Sequence, residues 1–331
     1  MGPQATISEI AAWLKRRDDL IVIGHVSPDG DAVGSVLAVT LALQALGKRA
    51  VACLPGPVPG LYRPFPGWEQ ILEAGQALPF APRTGLSLDV AEKRRMGGAE
   101  AIYDACPDRA MMDHHATNEG FGQIWRVEGE CAAAGEMALR LIRELGVELT
   151  QQIATWLYIA ISTDTGRFRF SNTTPETFRA AAELRAAGAD VAEISRLVWH
   201  TRSLPRTRLL ARVLDGLEVS GDGRMAWARL TNGMLAECGA RREDSEGIVN
   251  YLLEIEGVEF AALAEEREGE TKFSLRSKQW LDVAACVARP FDGGGHSRAA
   301  GCALPLPMEE ALPKVLEKAA EALSEEDAER P

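Results

Sequence analysis

The chain has 331 residues, 46% of them hydrophobic and 25% charged, with a net charge of −12. That is ordinary globular composition, and it excludes a disordered, collagen-like or low-complexity chain. The acidity argues against coating long duplex nucleic acid, which needs a surplus of cations, but leaves room for a focused site for a small anion.

In chain order, Ile7 to Arg17 mixes apolar and charged residues at helical spacing and reads as a helix rather than a leader peptide. Leu20 to Gly24 (Leu-Ile-Val-Ile-Gly) reads as a buried strand and Ala32 to Leu46 as the helix behind it, closed by Gly47. Arg49 to Leu54 is a second strand. The longest apolar run, Val36 to Leu46, is broken by Thr40 and Gln44 and is too short for a bilayer, so no membrane partner is expected. Pro55 to Gly67 is a Pro/Gly-rich loop. Weak strands end at Leu88 and Met112, each running straight into an aspartate, and Phe80 to Ser87 is a poor strand sequence. Helices over Ala132 to Leu145, Gln151 to Ile161 and from Pro175 complete an alternating pattern, which implies parallel strands with crossover helices.

Cores rarely grow past about 250–300 residues, so two domains are expected. The stretch Arg196 to Arg212 holds five arginines, His200 and Pro205 without an acidic residue. It reads as the connector, either a solvated helix face or a basic wall for an anionic substrate. The expected organisation is therefore residues 1–195, a linker helix at 196–215, and 216–331. In the last part, Leu217 to Leu230 looks like a hairpin around Gly221-Asp222-Gly223, and Val258 to Glu265 with Lys272 to Arg276 a second alternating pair. Helices are expected at Ser245 to Glu256 and Leu281 to Ala288. Glu309 to Pro331 reads as an acidic helix and tail carrying eight acidic and three basic residues. The fold class is α/β: an N-terminal parallel-sheet domain with flanking helices, a smaller C-terminal α/β domain, and a cleft between them. Six scattered cysteines without a CxxC pair suit a reducing, cytoplasmic setting.

Four of the five histidines fall inside segments able to carry chemistry. His25-Val26-Ser27-Pro28-Asp29-Gly30-Asp31 follows a buried strand; an imidazole and two carboxylates on a turn there make either a hard-cation site or an Asp-rich turn, with Asp31 where a helix N-cap belongs. Asp113-His114-His115 again follows a strand end. Asp164, in Ser162-Thr163-Asp164-Thr165-Gly166-Arg167-Phe168, ends a buried helix, where a charge needs a partner or an ion. Asp89 alone would pass for a plain strand-terminal aspartate. Together these segments supply two histidine ligands and four aspartates to one sheet edge, enough for two cation sites about 3.5–4 Å apart sharing a carboxylate, suited to phosphoester hydrolysis. Imidazole and carboxylate without thiolate favour Mn²⁺, with Mg²⁺ or Fe²⁺ behind it. In the C-terminal part, Asp292-Gly293-Gly294-Gly295-His296 can turn backbone N–H groups towards an anion, or be a mere flexible turn. Ser274-Leu275-Arg276-Ser277 puts a forked guanidinium on a strand.

These residues resemble the DHH phosphoesterases, whose name matches Asp113-His114-His115. HVSPDGDAVGS (His25 to Ser35), Asp89 with the RRMG that follows, STDTGRF and FDGGGHSRAAG (Phe291 to Gly301) are similar to the family's other motifs. The resemblance implies that His25, Asp29 and bridging Asp89 hold one ion, and Asp31, Asp89, His114 and Asp164 the second. It implies that His115 contacts the scissile phosphate, oriented by Asp113, and that Ser274, Arg276 and Gly293, Gly294, Gly295 and His296 bind the far end of the substrate. Within the family it points to the nanoRNase/pAp phosphatase type. That type trims di- to pentanucleotides to mononucleotides and removes the 3′-phosphate of 3′-phosphoadenosine 5′-phosphate (pAp), with a homodimer as candidate assembly. The competing readings are a soluble cyclic-dinucleotide phosphodiesterase and a non-catalytic nucleotide-binding protein.

Overall fold

Apolar strands four or five residues long and buried on both faces belong in the middle of a sheet covered on two sides. The computed structural model, which describes residues 4–278 and 281–329, places them there. The chain forms two compact units that divide between Thr201 and Arg202. The first contains α1 (Ile7–Lys15), β1 (Leu20–Ile23), α2 (Gly30–Ala45), β2 (Ala50–Leu54), β3 (Ile71–Glu73), β4 (Thr84–Leu88), α3 (Glu100–Ala105), β5 (Asp108–Asp113) and β6 (Ile124–Val127). Four helices follow: α4 (Ala134–Leu145), α5 (Gln151–Asp164), α6 (Pro175–Ala186) and α7 (Val191–Trp199). The sheet order is β3-β2-β1-β4-β5-β6, and every neighbouring pair is parallel. Strands step outward from β1 to β3 and then restart on its other side with β4. The switch point of this doubly wound sheet therefore lies between β1 and β4, where such sheets leave a crevice at the strands' C-terminal ends.

Alternation along β1 divides the two cores. Leu20 and Val22 join the larger one, with apolar residues of α1, α2, α4 and α5, while Ile21 and Ile23 join Met96, Tyr103 and Cys106 on the opposite face. The strand expected to be weak, β4, is buried along its whole length between β1 and β5. Its lack of bulk has a cause: a Cβ on Gly85 would stand 2.8 Å from the Tyr103 ring. A β-branched residue would not fit there.

Helix α2 is buried around most of its circumference and wedges against α5. At the crossing, a Cβ on Gly34 would stand 2.3 Å from the Trp156 carbonyl oxygen and 2.9 Å from the Ala160 methyl. Backbone cannot yield as a side-chain tip can, so Gly34→Val is expected to lower stability by about 3 kcal/mol through overpacking. Urea denaturation measures this; an unchanged midpoint would contradict the packing described.

The second unit contains α8 (Leu204–Asp215), β7 (Glu218–Val219), β8 (Met225–Leu230), α9 (Asn232–Cys238), α10 (Ile248–Leu253), β9 (Phe260–Arg267), β10 (Glu270–Ser277), β11 (Gly294–His296), β12 (Ala299–Leu304) and α11 (Met308–Glu329). Its sheet, β11-β12-β10-β9-β8-β7, is antiparallel except for β8 with β9. One face packs α11 against Phe260, Phe273 and Leu275; the other packs residues of α8, α9 and α10 against Ala226, Ala228, Ala261 and Leu263.

Several expectations shift. The arginine-rich stretch is not one connector: Arg196 lies in α7, and α8 starts afresh after the Ser203 cap. Pro205 sits in the first turn of α8, where its missing N–H and fixed φ suit a helix start. The helix expected at Ser245 to Glu256 shortens to α10, because Gly247 before it is left-handed (φ 78°). Leu281 to Ala288 keeps only a π-helical turn at Ala284–Ala288. Arg330 and Pro331, the end of the expected acidic tail, lie outside the described residues. Among the described residues, no helix is long and apolar enough to cross a membrane.

Candidate metal centre

The loops after β1, β4 and β5 leave the same edge of the sheet, at its switch point. The first carries His25, the second opens with Asp89 and the third carries His114 and His115; Asp164 ends α5. His114 Nε2 stands 3.4 Å from Asp89 Oδ1, 3.6 Å from Asp164 Oδ2 and 3.7 Å from Asp31 Oδ2. His25 Nε2 stands 3.4 Å from Asp89 Oδ2 and 3.7 Å from Asp29 Oδ1. Asp89 thus turns one oxygen to each imidazole. These spacings exceed those of good N–H···O hydrogen bonds. They lie near the separation of about 3 Å between neighbouring ligands around an octahedral ion with bonds of about 2.1 Å.

Three further observations fit a cation. Asp89 Oδ1 is buried without a hydrogen-bond partner. His25 Nδ1 donates to the Val26 carbonyl at 2.7 Å and His114 Nδ1 to that of Cys131 at 3.3 Å, which turns each Nε2 to the carboxylates, where it can hold either a proton or an ion. Asp89 itself is left-handed (φ 58°), a conformation aspartate tolerates better than most residues and one that clusters at functional sites. Among the described residues, donor atoms of His25, Asp29 and Asp89, of Asp31, His114 and Asp164, and of Asp89, His114 and His115 each lie within 4.8 Å of one another.

The two aspartates of the first loop divide the work differently from expectation. Asp29 is the N-cap of α2, its Oδ1 accepting the Asp31 and Ala32 N–H groups at 3.0 Å each. Asp31 lies inside the helix and caps another one: it accepts the Ala134 and Gly135 N–H groups at 2.6 and 2.8 Å, where the Ala133 cap of α4 offers no side-chain bond. Ser35 Oγ adds a 3.0 Å bond to Asp31.

Crowding shifts the protonation of His25, His114, Asp31, Asp89 and Asp164. Burial opposes charge on His25, but Asp29 and Asp89 outweigh it and hold the imidazole up at about 11. His114 is raised likewise by Asp89, Asp31 and Asp164 against its burial. Asp89 is held well below the usual carboxylate range, against its burial, by His114 and His25. Burial together with the neighbouring Asp89 charge pushes Asp31 well up and Asp164 to about 7. Protons and cations therefore compete for one set of atoms.

His115 belongs to the third donor group by distance, yet its Nδ1 is committed to Asp113 Oδ1 at 2.8 Å. Asp113 is fully buried, and its other oxygen accepts Asn118 Nδ2 at 2.7 Å. The sequence reading missed Asn118. The signal was present: a buried carboxylate at Asp113 needs donors for both oxygens, and a short amide five residues on can supply one.

The second unit assembles the remaining residues by strand register. Arg276 pairs with Ala299, which pairs with His296; Ser274 pairs with Gly301, which pairs with Gly294. The side chain of His296 lies outside the described residues. Arg276 is half-buried and donates to the Leu275 carbonyl at 2.9 Å; burial draws its pKa down, opposed by Glu246. The three glycines form no free concave turn: Gly294 and Gly295 belong to the edge strand β11. A Cβ on Gly293 would stand 2.3 Å from the Gly301 carbonyl oxygen, and one on Gly295 (φ 143°) 2.5 Å from that of Ala299. Close backbone packing accounts for these two glycines, while Gly294 faces open space.

Residues 19–161 match the DHH family, N-terminal domain, and residues 229–325 the DHHA1 domain: the chain belongs to the DHH family and is a hydrolase of the phosphoesterase class. Over 318 residues, 95% of this chain and 94% of the relative, it is 37% identical to the bifunctional oligoribonuclease and PAP phosphatase NrnA of Thermus thermophilus. A crystal structure of an exopolyphosphatase-related protein from Bacteroides fragilis aligns with a TM-score of 0.89 at 32% identity, covering 95% of both chains. Exonuclease RecJ bound to manganese shares the fold (TM-score 0.54, 15% identity, covering 99% of this chain and 96% of that one).

Proposed function

We propose that this chain hydrolyses short oligonucleotides to 5′-mononucleotides and removes the 3′-phosphate of pAp, using two divalent cations, manganese first among them. The observation that carries this reading is Asp89, standing between two imidazoles with one oxygen turned to each. His25, Asp29 and Asp89 would hold one ion, and Asp31, Asp89, His114 and Asp164 the other. When bound, such a pair makes a water nucleophilic at neutral pH and neutralises charge on the phosphoryl oxygens.

The rest falls to the protein's own groups. With Nδ1 donated to Asp113, His115 exchanges protons through Nε2 and protonates the leaving oxygen. Arg276, Ser274 and the Gly293–His296 segment would bind a second phosphate, the guanidinium as a fork. The name of the Thermus relative supports this substrate class, and the mixed imidazole and carboxylate donors support Mn²⁺, or Mg²⁺ or Fe²⁺ in its place. A net charge of −12 goes with short substrates rather than long duplexes, and the six free cysteines go with a reducing, cytoplasmic place of action.

Incubation with Mn²⁺ and, separately, a labelled dinucleotide, pAp and cyclic di-AMP tests the proposal. Mononucleotide from the first and AMP from the second are expected. Cleavage confined to the cyclic dinucleotide would overturn the substrate assignment; tight binding of all three without turnover would favour a nucleotide-binding protein instead.

A further inference from the structure

A buried carboxylate that orients an imidazole does so only if its own rotation is fixed. Asp113 is fully buried, gives Oδ1 to His115 Nδ1–H and gives Oδ2 to Asn118. Asn118 is itself 9% exposed and uses both ends of its amide. Nδ2 donates to Asp113 Oδ2 at 2.7 Å and to the Val90 carbonyl at 2.9 Å, while Oδ1 accepts the Gly120 N–H at 2.8 Å. Two acceptors face Nδ2 and a donor faces Oδ1, so the amide has one orientation only. Val90 adjoins Asp89, so this side chain also ties the loop after β4 to the loop after β5.

We propose that Asn118 is a positioning residue: it locks the Asp113 carboxylate, and through it the orientation of the His115 ring, with Nδ1–H held by Asp113 and Nε2 left to serve the leaving oxygen. This inference rests on the role given above to His115. In the step concerned, a water oxygen forms a new bond to phosphorus as the bond to the leaving oxygen breaks. The leaving oxygen takes the proton from His115 Nε2, and the proton lost by the water restores the imidazolium. Without the Asn118 bond, Asp113 can turn about its side-chain torsion, and the imidazole can then present the wrong nitrogen. In a comparable carboxylate–imidazole pair the wrong tautomer lowers kcat about 10⁴-fold.

The leaving group separates positioning from mere support of the fold. A ribose alkoxide needs a proton to depart, whereas 4-nitrophenolate does not. Asn118→Ala is expected to lower kcat on a dinucleotide about 10²-fold with KM held within about threefold, and kcat on the 4-nitrophenyl ester of a mononucleotide less than about fivefold. Added to His115→Gln, the same change should cost nothing further. Equal losses on both substrates, or additive losses in the double variant, would overturn the inference. Should Asn118→Ala fail to fold, the unaltered protein with Mg²⁺ decides: nitrogen NMR of His115 must show a proton on Nδ1 whether or not Nε2 also carries one, and an unprotonated Nδ1 overturns it. Equal loss of both substrates in His115→Gln would instead remove the acid role of His115 itself, and this inference with it.

Discussion

Asp89→Asn is expected to reduce dinucleotide hydrolysis by at least about 10³-fold, equivalent to about 4 kcal/mol of transition-state stabilisation, while the fold persists. Asparagine keeps the shape of aspartate and its tolerance of the left-handed backbone (φ 58°), so strain is not added. What it removes is the charge shared by His25 and His114, each 3.4 Å away; among the described residues Asp89 is the carboxylate that shares a donor group with each of these imidazoles. One substitution therefore strikes both proposed ion sites, whereas Asp29→Asn or Asp164→Asn strikes one. Calorimetric titration with Mn²⁺ beside the turnover assay checks the cause. Near-normal activity in Asp89→Asn would refute the shared-ligand assignment, and lost activity with unchanged Mn²⁺ affinity would move the role of Asp89 away from the ions.

The second large effect is on stability, and its direction depends on whether cations are present. Asp164, raised from 3.8 to about 7, contributes stability that is complete below its unfolded pKa and lost as pH rises through 7; Asp31 follows the same direction. His25, raised from 6.5 to about 11, adds a further decline once pH exceeds about 6.5. Asp89, depressed, works oppositely and gives its share only above its folded pKa. Stripped of metal by a chelator, the protein is therefore expected to lose stability as pH rises from about 5 to 8, the reverse of a chain held by ordinary paired carboxylates. With Mn²⁺ the trend should invert. Each proton displaced from the cluster makes binding about tenfold tighter per pH unit, about 1.4 kcal/mol, until the group is ionised anyway. Thermal unfolding at several pH values, with Mn²⁺ and with chelator, measures both curves. A gain from Mn²⁺ that is the same at pH 5.5 and pH 8 would contradict proton–ion competition in this cluster.

Much of the fold and most of the donor set could be read from residue order. Buried apolar runs at Leu20–Ile23 and Ala50–Leu54 announce strands, and carboxylates or imidazoles placed directly after strands announce a sheet edge. What escaped depends on contacts distant in sequence. Thr84–Leu88 looks weak in isolation because Tyr103 leaves room only for glycine at position 85, yet it is a central strand between β1 and β5. Asp31 looks like a local cap, but its partners are the amides of Ala134 and Gly135. The glycines of Asp292-Gly293-Gly294-Gly295-His296 look like a turn, but β12 supplies a partner and draws Gly294–His296 into an edge strand. Asn118 stands out only once Asp113 is known to be buried, because its importance lies in the carboxylate it meets. The break between α7 and α8 was hidden for a similar reason, since five arginines look alike on either side of it.

The carboxylate of Asp31 lends its two oxygens to amides 103 and 104 residues along the chain, at the head of α4. Any proton or ion that settles on Asp31 draws electron density from those same oxygens and weakens their hold on the Ala134 and Gly135 N–H groups. The chemical state of the cluster is thus transcribed into the backbone of a helix that bears none of its ligands. Two amide signals there act as an internal gauge of occupancy, legible by hydrogen exchange with no substrate in the tube.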